Sequence, residues 1–149
     1  MDVWTKDYHA NDVYEAMKEL PDWFKHSGIY QSNNEDDILI ASIKKMDFLL
    51  DYKSHFTVDQ ARELIKVLFP TKTKKIFEGS SSYGFKHLFE VISKSAIDSK
   101  YDMNKYCSNA TAINAFELEG FDWIQEGPNR YMNLSAKEVN KVYKLFRYN

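Results

Sequence analysis

The sequence predicts an α+β chain, mostly helical, in which a helical N-terminal part precedes a winged-helix-like C-terminal part. Three observations predict it. Apolar residues recur at helical spacing, as Leu39, Ile43, Met46 and Leu50 do. Late in the chain two helical stretches precede two short aromatic and apolar segments around a polar turn, the order of a helix-turn-helix followed by a β-hairpin wing. The charge also changes sign near Pro70: residues 1–70 hold 13 acids and 8 bases, net −5, and residues 71–149 hold 9 and 12, net +3. An acidic helical part, 1–70, and a basic winged-helix-like part, 71–149, are therefore expected, as two units or packed as one.

Each element has a local reason. Asn11 or Asp12 caps a short helix over 13–20, which Pro21 ends, and 28–34 is turn-like. Glu35, Asp36 and Asp37 open a longer helix to about residue 52, three acids at the positive end of its dipole. Thr57 with Gln60 forms a capping box for the next helix, whose apolar face is Val58, Ala61, Leu64, Ile65, Leu68 and Phe69. After a loop or cap at 79–82, a helix over 85–95 carries Phe85, Leu88, Phe89 and Ile92 on one side. Ser108 or Asn109 caps a helix over 110–119, and Gly120 supplies a left-handed stop. Segments 121–124 and 131–134 read as strands with 125–130 as the turn. Ser135 and Glu138 form a second capping box, for a last helix over 136–147 with Val139, Val142, Tyr143 and Phe146 inward.

The bulk numbers exclude several classes. At 149 residues, 44% hydrophobic, 28% charged and net −2, the chain can bury a core without disulfides or metals, and it is neither histone-like nor a disordered tail. One cysteine, Cys107, forms no internal disulfide. No apolar run approaches the roughly 18 residues of a membrane span, and the start lacks a secretory pattern, so a cytoplasmic protein is expected. Aromatic residues reach 15%, enough that some are expected at an interface.

One stretch carries a resemblance. Ser82-Tyr83-Gly84-Phe85-Lys86-His87-Leu88-Phe89-Glu90 resembles the S-Y-x-x-K-H-x-x-E signature of small proteins from phages and other mobile elements of Gram-positive bacteria. The likeness extends through Cys107-Ser108-Asn109-Ala110, Glu119-Gly120-Phe121 and the segment 129–135, and so covers about 58–149. It departs at Phe85, where the family has a leucine-like residue, and in the long segment 97–106. It implies a mobile-element origin and a bacterial host cell more than it implies an activity. Physically, His87 and Glu90 at i,i+3 suit a helix-terminus pair that fixes a loop, a catalytic dyad or half of a metal site.

Catalytic patterns are sparse. The four histidines, His9, His26, His55 and His87, have no metal-ligand spacing, no phosphate-cradling Gly-rich loop is present, and Ser80-Ser81-Ser82 lacks a nucleophile elbow. The expectation is a non-enzyme with no cofactor and no metal. Duplex DNA is the first expected partner. Lys100 and Lys105 suit phosphate, Asn109, Thr111 and Asn114 suit base edges from the reading helix, and Arg130 at the wing tip suits a minor groove. Glu117 and Glu119 on the same helix oppose it. The alternative is an inhibitor of a host defence system, like an anti-CRISPR protein. It would use acidic and aromatic surfaces, with Asp12, Glu15, Glu19, Glu35, Asp36 and Asp37 facing a basic groove of a nuclease or its nucleic-acid complex.

Overall fold

The computed structural model describes residues 35–96 and 103–146. Among them are five α-helices and one two-stranded antiparallel sheet: α1 Glu35–Lys44, α2 Val58–Leu68, α3 Ser82–Ala96, α4 Asn109–Leu118, β1 Trp123–Glu126, β2 Asn129–Met132 and α5 Ala136–Phe146. The chain is thus α+β and mostly helical, with the hairpin near its C-terminal end. The helix expected over 13–20 lies outside the described residues.

The acidic first half departs from expectation at one place. The helix opened by Glu35 stops at Lys44, and a separate 3-10 turn, Asp47–Leu50, replaces its last turns. Lys45 N–H and Met46 N–H reach back only three residues, to Ser42 and Ile43, and the Ser42 hydroxyl takes up the Ile38 carbonyl. The tightened chain swings Leu49 into the core and leaves Leu50 exposed.

The other boundaries follow their caps. The Thr57–Gln60 box closes in both directions at 3.1 and 3.2 Å. Ser108 accepts from Thr111 N–H at the start of α4. At its end Gly120, φ +85°, sends its N–H to Glu117, while Phe121 N–H reaches Phe116 and the two rings meet edge-on at 5.4 Å. That is a Schellman stop with its apolar contact. Ser135 caps α5 through Glu138 N–H, but the Glu138 carboxylate turns away to accept Thr71 N–H. Half of the expected box is spent joining α5 to the α2–α3 connection.

The hairpin is tighter than expected. Glu126 pairs with Asn129, so only Gly127 and Pro128 form the turn. Gly127 has φ +59°, the positive angle that the first position of a type II′ turn demands. Beyond β2, Lys72 and Leu134 form an isolated antiparallel bridge, and Thr73 N–H donates to Asn133 at 2.9 Å. The α2–α3 connection therefore lies along the open side of β2.

One cluster of buried residues runs from Ile38 to Val142 and draws on both sides of Pro70. At its centre Phe116 meets Phe85 at 5.5 Å and Phe89 at 6.2 Å, and Phe69 meets Phe85 at 5.4 Å. Rings in such offset and edge contacts add cohesion beyond their buried area. They fix α2, α3 and α4 around one another and so set where the hairpin stands.

Candidate functional site

The signature on α3 acts as a clamp. Buried Ser82 accepts Arg130 N–H at 3.1 Å and so ties α3 to β2. About two turns on, the Glu90 carboxylate (12% exposed) accepts from Lys86 Nζ at 3.3 Å and from Cys107 N–H at 3.0 Å through Oε2, and meets His87 Nδ1 at 3.1 Å through Oε1. The Lys86 ammonium lies 5.5 Å from the Tyr83 ring centre and 4.8 Å from that of Tyr106. Two buried charges persist here because each has its counter-charge and further partners. The His87–Glu90 pair expected from the i,i+3 spacing is formed, and Lys86 at i,i+4 joins it on the other carboxylate oxygen.

Cys107 completes the clamp rather than a dyad. Its thiol is fully buried and contacts the Ser108 carbonyl. Burial, with the negative charge of Glu90, pushes its pKa up to about 12, against a smaller lowering by Lys86. A thiol held protonated is a poor nucleophile.

Lys105 lies in the core, where it has no access to a phosphate. Its ammonium donates to the Asp51 and Ser54 carbonyls at 3.0 and 2.9 Å, and its backbone N–H to Ser93 Oγ at 2.8 Å. It closes the loop after the 3-10 turn onto α3. In that loop the Asp51 carboxyl is held below its ordinary range by the Ser54 hydroxyl first, then by Lys53 N–H and the charge of Lys105.

The surface formed by α4 and the hairpin holds the other expected DNA contacts. Asn109 donates to Pro128 O at 3.2 Å and to Asn129 Oδ1 at 3.0 Å, so it props the hairpin turn. Thr111 is bound to the Ser108 cap. Asn114 is exposed on the outer face of α4. Arg130 lies in β2, not at the tip: its guanidinium stacks 3.6 Å above the Trp123 ring, pairs with Glu117 and donates to Gln125 at 2.9 Å. Lys100 lies outside the described residues.

The charge and polarity of this surface are one-sided. Residues 109–126 hold four acids and no lysine or arginine. Glu119 is neutralised by Arg62 at 2.7 Å, and Glu117 by Arg130. Asp122 and Glu126 are exposed, and among the described residues neither joins an ion pair. Beside them Leu118, Trp123 and Ile124 are 59%, 41% and 47% exposed. Trp123 and Ile124 are neighbours on β1 and so present apolar surface on both faces of the hairpin.

Of the expected acidic partner face, Asp12, Glu15 and Glu19 lie outside the described residues, Glu35 begins α1, Asp36 is half-buried and Asp37 is buried. The apolar rim of α4 and β1 was missed; its signal was the absence of basic residues between Asn109 and Glu126. Among the described residues no group of three or more His, Cys, Asp or Glu side chains is placed to hold a metal, and no helix is long and apolar enough to cross a membrane. Comparison with protein-family models, curated proteins and solved structures returned no match.

Proposed function

We propose that the chain is a winged-helix-like binding module that uses α4 and β1 to engage a basic protein surface. The element order supports the fold reading. A helix, an isolated bridge residue at Lys72, two further helices and a hairpin follow one another, and Lys72 pairs with Leu134, two residues beyond β2, on the side where the first strand of a winged helix would lie. The observation that carries the function is the missing positive charge at the reading position. A duplex-reading helix relies on Lys and Arg for phosphate contacts. Here 109–126 has none, and Arg130 beside it is held by Glu117. What α4 and β1 offer instead is exposed Leu118 and, along one face of β1, Ile124 between Asp122 and Glu126, with Trp123 on the other face beneath Arg130. This suits a basic partner with an apolar centre, such as the nucleic-acid-binding groove of a host defence nuclease. The signature's likeness to mobile-element proteins agrees with an inhibitor of that kind.

A DNA-associated role is the second reading, favoured by Lys72, Lys74 and Lys75, exposed together on the α2–α3 connection. Phosphate contacts would then come from this connection and not from α4.

Selection of a displayed random-peptide library on the immobilised full chain tests the proposal. The expected binders are rich in Lys or Arg around an apolar residue, and Leu118→Glu or Ile124→Glu removes them. Binders that are acidic or neutral, or that survive both substitutions, contradict it.

A further inference from the structure

The hairpin has two edges, and they differ. On β2, Arg130 N–H is taken by Ser82, Met132 O by Phe77 N–H at 2.8 Å, and Leu134 bridges to Lys72. That edge is closed. On β1 the pattern of the ladder decides which groups face outward. Glu126 opposite Asn129 closes the turn, and Asn133 N–H donates to Asp122 O at 3.1 Å. Asp122, Ile124 and Glu126 therefore turn their backbone groups toward β2, while Trp123 and Gln125 turn theirs away from it. Among the described residues no backbone hydrogen bond reaches the outer groups of Trp123 and Gln125.

The side chains of β1 are also divided. Trp123 and Gln125 share a face with Arg130 and are engaged by it. Asp122, Ile124 and Glu126 share the opposite face, all exposed, in the order acid, apolar, acid. We infer that β1 is a docking edge that adds one extended strand from a partner protein, with the pattern basic-x-apolar-x-basic opposite Asp122, Ile124 and Glu126. The inference rests on the protein-binding reading and names its mode. Main-chain bonds to Trp123 and Gln125 supply affinity, and the alternate side chains supply selection. A second copy does not fit. With Ile124 opposite its counterpart, Asp122 would face Glu126 of the other copy at both ends, and like charges directly opposite destabilise a strand pair. The same two acids guard a free edge against self-pairing.

The probes are two synthetic peptides in the extended pattern Thr-Lys-Thr-Val-Thr-Lys-Thr, one as written and one with Glu for both Lys, added to the ¹⁵N-labelled full chain. The Lys peptide should slow hydrogen exchange at the Trp123 and Gln125 amides about tenfold, and the Glu peptide should not. Gln125→Pro removes an outward N–H and leaves the inward ladder, so binding should weaken about fivefold or more, the worth of one bond. Gln125→Ala keeps that N–H and should bind nearly as the wild type. Reversing both charges, Asp122→Lys with Glu126→Lys, should switch the preference to the Glu peptide, with hairpin amide shifts reporting that each variant is folded. Binding without protection of Trp123 and Gln125, or binding that Gln125→Pro leaves unchanged, overturns strand addition and leaves the protein-binding reading standing. Failure of both peptides overturns strand addition as well, and the library selection then decides the broader reading separately. Concentration-dependent dimerisation through β1 would overturn the choice of occupant.

Discussion

At Glu90 one carboxylate answers Lys86, His87 and the Cys107 amide, so its loss strands a buried ammonium and a buried N–H together. Glu90→Ala should cost about 3–5 kcal/mol of stability in urea unfolding, the usual effect of breaking a buried pair by removing one partner. Glu90→Gln, which keeps an acceptor for the amide, should cost less. Lys105→Met retains the stem and deletes the donor to the Asp51 and Ser54 carbonyls; a loss of about 1–3 kcal/mol is expected. The Cys107 thiol makes a pH prediction. Its native pKa of about 12 lies above the ordinary thiol value of 9.0, so the unfolded chain releases this proton first. The thiol's contribution is intact below pH 9.0 and falls as pH rises toward 12. Native protein should show no thiolate absorbance in that window until it unfolds; thiolate appearing near pH 9.0 in the folded state would contradict the burial.

Helix ends and strand turns show how far local sequence reaches. Thr57–Gln60, Ser108 and Gly120 are caps whose partners lie within a few residues, and each forms where the residues indicate. Gly120→Ala tests the last of these. The nearest atom to an added Cβ is Lys72 Cε at 3.6 Å, so crowding is not at issue, and the left-handed backbone alone should cost about 1–2 kcal/mol in thermal or urea unfolding. Reading fails where the deciding partner is distant or where two local patterns coincide. Leu50 fits the spacing of Leu39, Ile43 and Met46, yet a 3-10 turn brings Leu49 inward instead. The polar run 125–130 reads as one long turn, whereas Gly127 with Pro128 suffices and Arg130 falls into a strand. Lys105 reads as a surface base because its two carbonyl acceptors lie more than fifty residues back in the chain.

Across the whole molecule, charge is partitioned by surface rather than by half of the chain. The acidic character of the first half does not project uniformly outward, since Asp37 is buried, and the basic second half contains an acidic and apolar face at α4 and β1. Lys72, Lys74 and Lys75 are exposed together on the connection that runs along β2. Any duplex binding should therefore weaken steeply between roughly 50 and 200 mM salt and be lost when these three become Ala, while Asn114→Ala leaves it unchanged. Anisotropy of a labelled mixed-sequence duplex checks this, and a strong effect of Asn114→Ala would move the nucleic-acid contact back to α4. Whether α4 and β1 touch DNA is read by an NMR titration of the ¹⁵N-labelled chain with that unlabelled duplex at roughly 50 mM salt, the lower of the two salt levels, at which phosphate contacts are screened less. On a protein-binding face the amides of α4 and β1 stay in place, even if those near Lys72–Lys75 move; a saturable shift of Asn114, Leu118, Trp123 and Ile124 would make this face a DNA reader instead.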